Sequence, residues 1–154
     1  MAAIQKDQNR QWPLSLEKTF NHDDDFGDDS AAQTAVVVEL ARLPVGARVV
    51  GGEIVVEEAW DNGTTATVDI GDVTDPDRYT ASPVNLTALG RTALTLDGFK
   101  TTEVERDVDL TPVFAGANGT QGRAYVRIEY VIENKANEVQ PLDVDEYGSV
   151  RTAV

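Results

Sequence analysis

Cysteine does not occur in this chain. Disulfides, thiolate-bound metals, iron–sulfur clusters and thiol nucleophiles are excluded, and a reducing compartment fits. Histidine occurs once, as His22, in a polar stretch beside Asp23. A catalytic triad needs its imidazole held rigidly near Ser and Asp, which that setting does not provide. One histidine with carboxylates is also a poor ligand set for zinc. No run approaches eighteen apolar residues, so no membrane-spanning helix is expected. Residues 1–10 hold no apolar stretch, so a Sec-type signal peptide is not expected. Basic residues are scarce: 13 Lys and Arg stand against 27 Asp and Glu, a net charge of −14. That balance repels nucleic acid and anionic membranes, and suits a basic partner surface.

What is present reads as one domain of 154 residues with extensions. Residues 1–33 form an expected arm and acidic linker, 34–133 a body, and 134–154 a polar tail. In the arm, Trp12, Leu14, Leu16 and Phe20 stand out from polar surroundings, and Leu14 and Leu16 alternate around Ser15 as a short extended piece would. These four are the expected interface residues, docking on the body or on a neighbour.

The body alternates with period two. Residues 34–40 read as a strand, and Leu43-Pro44-Val45-Gly46 as a turn. Residues 47–50 and 54–60 read as one long strand, curled by a bulge at Gly51-Gly52. Asn62-Gly63 predicts a hairpin returning through 64–70, with Ala66, Val68 and Ile70 on the apolar face and Trp60 capping it. Residues 72–83 are irregular, with a turn at Asp75-Pro76-Asp77, and 84–90 suit one or two helical turns or a loop. A short strand is expected over 92–96 and another over 102–110, whose Glu103, Glu105, Asp107 and Asp109 share a face that is wet or meets a partner. Residues 112–122 read as loop. The last strand, 123–133, turns Ala124, Val126, Ile128, Tyr130 and Ile132 inward. Seven to nine short strands without a long helix predict an all-β fold, an antiparallel jelly roll or β-sandwich, with a small closed barrel as the alternative.

No set of residues forms an expected catalytic, cofactor or metal site. Asp23, Asp24, Asp25, Asp28 and Asp29 resemble a calcium loop only in composition, because an EF-hand register from Asp23 puts Gly27 fifth and Asp28 sixth. Asp72, Asp75 and Asp77 with Arg78 and Tyr79 are the densest polar set in the body. Carboxylates around a proline are best explained as acceptors for turn N–H groups, with Arg78 pairing one of them. Asp143 and Asp145 have the same reading. The glycines at 116–122 lack the Lys and Ser or Thr of a phosphate loop. Trp12, Trp60 and Tyr79 suit stacking on a sugar, or a core.

The run Leu43-Pro44-Val45-Gly46-Ala47-Arg48-Val49-Val50-Gly51-Gly52-Glu53-Ile54-Val55-Val56 leads into Trp60-Asp61-Asn62-Gly63-Thr64. Thr67-Val68-Asp69-Ile70-Gly71-Asp72, Asp75-Pro76-Asp77-Arg78-Tyr79 and Gly122-Arg123-Ala124-Tyr125-Val126-Arg127-Ile128-Glu129-Tyr130 follow. This pattern resembles small structural proteins of tailed bacteriophages, in particular head decoration or cement proteins, over residues 34–133. The resemblance implies a non-enzymatic virion protein on the outer surface of the head, made in the host cytoplasm. It implies binding to the major capsid protein across capsomer contacts and a homo-oligomer, a trimer before a dimer. A tail or fibre accessory, or a carbohydrate-binding β-sandwich, is the alternative.

Overall fold

The computed structural model of the chain describes residues 12–24, 37–97, 105–116 and 119–133. Eight strands run through them: β1 (Leu14–Asn21), β2 (Val38–Leu43), β3 (Ala47–Glu58), β4 (Thr65–Gly71), β5 (Val84–Asn85), β6 (Gly90–Ala93), β7 (Arg106–Ala115) and β8 (Arg123–Ile132). They form two four-stranded antiparallel sheets, one ordered β1-β8-β3-β6 and the other β2-β7-β4-β5. First pairs with last, second with seventh, third with sixth and fourth with fifth. This is the pairing of one long hairpin rolled on itself, the jelly roll. No helix occurs among the described residues. Among the described residues the two sheets share no ladder, the arrangement of a sandwich and not of a closed barrel.

Alternation places the core between the sheets. Ala124, Val126 and Ile128 of β8 face Ala66, Val68 and Ile70 of β4, with Val108 and Leu110 of β7, and all are buried. In β3 the inward residues change parity, from Ala47 and Val49 to Ile54 and Val56, because the ladder to β8 slips between Val49 and Gly51. The bulge at the glycine pair therefore lies where its residues indicated.

Other expectations are corrected. Asn62-Gly63 does not close a hairpin: β3 and β4 lie in opposite sheets, each between other partners, and 59–64 crosses from one sheet to the other. The crossing is held by long-range bonds. Trp60 N donates to Leu86 O at 2.9 Å. The Asp61 carboxylate accepts from Thr120 N at 2.6 Å and Thr120 Oγ1 at 2.7 Å. Pro112 does not end a strand. β7 continues through it to Ala115, with Pro112 opposite Val68 of β4 and its side chain buried. Residues 84–90 hold β5 and the start of β6 instead of a helical turn. The 34–40 strand is seen as Val38–Leu43, and 34–36 and 102–104 lie outside the described residues.

The end of the sandwich at Trp60 is closed by packing. Trp60 is buried with its ring 5.5 Å from that of Phe20. Gly122, at φ 147°, passes beneath, and a Cβ there would lie 2.3 Å from Trp60 Cδ2. Only glycine fits both that conformation and that contact.

Candidate functional site

The opposite end is closed by charge. Asp72 follows β4 directly, and a two-bond bridge to Asp75 turns the chain there, with Asp72 N to Asp75 O at 2.9 Å and Asp75 N to Asp72 O at 3.1 Å. The Asp72 side chain is buried and saturated. Its Oδ1 accepts from Thr74 N at 2.8 Å, Thr74 Oγ1 at 2.5 Å and Asp75 N at 3.1 Å. Its Oδ2 accepts from Arg78 Nε at 2.6 Å and Arg106 Nη1 at 3.0 Å. Burial alone would raise its pKa, but the bonds from Thr74, Arg106 and Arg78 outweigh that and hold it at about 2. Arg78 Nη1 also binds Asp97 at 2.8 Å, so one network joins β4, β7 and the segment after β6. Tyr79 is buried beside it, and burial, then the Asp72 charge, push its hydroxyl up to about 12.

This arrangement is structural. A glycosidase pair needs one carboxyl held protonated near a second that is ionised. Asp72 is held ionised, with every lone pair engaged. Asp75 and Asp77 sit in the turn as acceptors and neighbours, and the Asp75 carboxyl is pushed up by its hydrogen bond with Asp77. His22 is exposed in the turn after β1, where its N donates to Gly122 O at 2.9 Å. Asp24 accepts from Asn21 N at 2.6 Å, while Asp25, Asp28, Asp29, Asp143 and Asp145 lie outside the described residues. No group of three or more His, Asp or Glu arranged to hold a metal occurs among the described residues. Of the three aromatic platforms, Trp60 and Tyr79 are core residues, which leaves a sugar only Trp12 to stack on.

Two sheet faces remain. On the outer face of the β1-β8-β3-β6 sheet, Glu53 is buried between Arg91 of β6 and Arg127 of β8, each bonded to one of its carboxylate oxygens. Arg123 pairs with Glu57 at 3.0 Å on the same face. The outer face of the other sheet carries Glu39 of β2, Asp69 of β4 and Asp107 and Asp109 of β7, with Arg42 the arginine among them. Arg42 binds Asp107 at 2.6 Å and 3.3 Å. The acidic side of β7 was legible in its alternation. The opposition of Glu39 to Asp109 was not, because register is a long-range property.

The four expected interface residues divide. Phe20 lies in the core and is 4% exposed, and Leu16 packs partly buried against that core. Leu14 is 38% exposed and Trp12 68%. Leu14 pairs with Tyr130 where β1 enters the sandwich, and Trp12 lies two residues ahead of it. Topology puts exposed Val45, Val73 and Leu96 at this same end, in the connections that follow β2, β4 and β6.

Fold and surfaces together define a jelly-roll sandwich in which the buried acids Asp72 and Glu53 join strands and connections through arginine pairs. No protein-family model matches the chain, and no curated protein does. Solved structures of the same fold do. A chain in the cyanophage Pam1 capsid asymmetric unit aligns at TM-score 0.59 and 20% identity, over 86% of this chain and 92% of that one. One in the capsid of Ralstonia phage GP4 aligns at 0.57 and 18%, over 88% and 93%. One in the acidic stable capsid of Helicobacter pylori bacteriophage KHP30 aligns at 0.57 and 18%, over 79% and 88%.

Proposed function

We propose that this chain is a non-enzymatic virion structural protein that binds the outside of a phage head and stabilises contacts between capsomers. Its partner in this reading is the major capsid protein, and its own copies assemble, a trimer being favoured over a dimer. The observation that supports it lies at the end closed by the Asp72 network, where Trp12 and Leu14 are exposed and the connections bear exposed Val45, Val73 and Leu96. Exposed aromatic and aliphatic residues on a rigid body suit docking on a protein surface. The fold shared with chains of three phage capsids points the same way.

In this proposal residues 34–133 with β1 act as the rigid body, and the remainder of 1–33 and 134–154 as extensions that add contact area. Trp12 and Leu14 fasten the attachment end, while Phe20 and Leu16 anchor β1 to the core. Repetition on a symmetric shell multiplies a modest single contact. The test is co-sedimentation of the purified protein with heads of the encoding phage stripped of it. Saturable binding at a fixed ratio to the shell protein, weakened by Trp12→Ala, is expected. No binding across a range of salt would overturn the proposal in favour of a tail or fibre accessory.

A further inference from the structure

Asp109 sits at the centre of the acidic outer face. It is 9% exposed, yet no donor reaches its carboxylate among the described residues. In the ladder it stands directly opposite Glu39 on β2, and on its other side opposite Gly71 on β4. Like charges facing each other across strands destabilise a sheet. The chain closes over this spot: a Cβ on Gly71 would lie 2.2 Å from Asp75 O and 2.3 Å from Pro76 C, so the acidic turn 75–77 lies against the same face. The cations nearby are already committed. Arg42 bridges Asp107 and Glu39, and Arg78 and Arg106 converge on Asp72. The face is a sheet surface, carrying Thr67, Thr111 and exposed Val113 between the charges.

A largely buried carboxylate with no donor beside it, its oxygens left to water at the edge of the face and opposite a second carboxylate, costs the free protein stability. Asp72 shows how the same chain satisfies an acid it uses for folding, with five donors. Nothing comparable serves Asp109. On the opposite face the buried acid, Glu53, is met by two arginines, Arg91 and Arg127.

We infer that the outer face of the β2-β7-β4-β5 sheet, centred on Glu39, Asp69, Asp107 and Asp109, docks a lysine- or arginine-bearing surface of the shell protein. An incoming cation supplies the donor that Asp109 lacks and relieves its opposition to Glu39. Threonines and Val113 give the flat contact around it. This rests on the shell-binding reading above and names the surface and the chemistry of its partner.

The experiment compares wild type with Glu39→Gln, Asp109→Asn and the double variant, with Glu17→Gln on the other sheet as a control. Thermal midpoints of the free proteins and affinities for stripped heads are measured at two salt concentrations. The expected result is an equal or higher midpoint for the face variants, with binding weakened about tenfold and its salt dependence reduced. Glu17→Gln leaves both unchanged. Wild type that binds while the face variants bind equally well overturns this inference and leaves the shell-binding reading standing. Wild type that does not bind removes that reading and this one with it. Variants that change only self-association without heads overturn it by assigning the face to a second copy of the chain.

Discussion

Asp72, just after β4, and Asp109, on the neighbouring β7, are both buried aspartates, and the protein treats them in opposite ways. Asp72 collects donors from Thr74, Asp75, Arg78 and Arg106 and is held ionised at about 2. Asp109 faces Glu39 and Gly71, and burial, then the charges of Asp107, Glu39 and Asp72, raise its pKa. Burial is common to the two, so burial does not decide what an acid does for the fold. The donors brought to it decide. Asp72 fastens three connections at one end of the sandwich, whereas Asp109 leaves a charge unmet on a face.

The sharpest way to break the contrast is Asp72→Asn. It leaves Arg78 and Arg106 facing a neutral group in a confined site, and a loss of about 3 kcal/mol in urea unfolding is expected. Acid titration should show the same difference. Asp72 contributes stability that is present above its unfolded value near 3.8 and is lost as pH falls toward 2, about 2 kcal/mol in all. Asp109 and Asp69, both raised, act in reverse: they bind protons more tightly when folded, so stability grows as pH falls from neutrality toward 3.8. Urea midpoints measured from pH 7 to 2.5 are therefore expected to pass through a maximum in mild acid. Asp109→Asn should remove part of the rise, and Asp72→Asn should flatten the fall.

A smaller effect of opposite sign is expected from Asp109→Asn at neutral pH. Relieving its cross-strand opposition to Glu39 should stabilise the free protein by about 0.5–1 kcal/mol, read from the same unfolding curves. Arg42→Ala is the weakest probe. Its pairs with Asp107 and Glu39 are exposed to water, so the neutral-pH midpoint should move little, and less still in high salt. A large loss there would mean that the acidic face depends on its single guanidinium, and the contrast with Asp72 would weaken.

Much of the framework was legible along the chain. The inward set of β8, the apolar face of β4 and the bulge at Gly51-Gly52 follow from period-two alternation and from glycine's place in a strand. The turn role of the Asp72–Asp77 set was legible too, with Arg78 as a partner. Arg106 was not, because it arrives from 34 positions further on, in a strand whose neighbours are set by the sheet. The Asn62-Gly63 signal misled for a related reason. It reports that a chain can reverse tightly, not that the strands on either side will pair. Pro112 misled because a missing N–H matters only where a neighbouring strand needs it, and that depends on partners set by the sheet.

The exposed faces divide in the same way. Alternation put Asp107 and Asp109 on the outside of their strand, while register put Asp109 against Glu39 and Arg127 against Glu53. Side-chain period along a strand is local, since successive residues must point to opposite faces. An all-β fold with a Val- and Ile-rich interior was therefore settled by the order of residues alone. Which strands became neighbours, and which charges met, was decided only when the long hairpin rolled up, because ladder pairing joins residues far apart in the chain through contacts that no local pattern encodes.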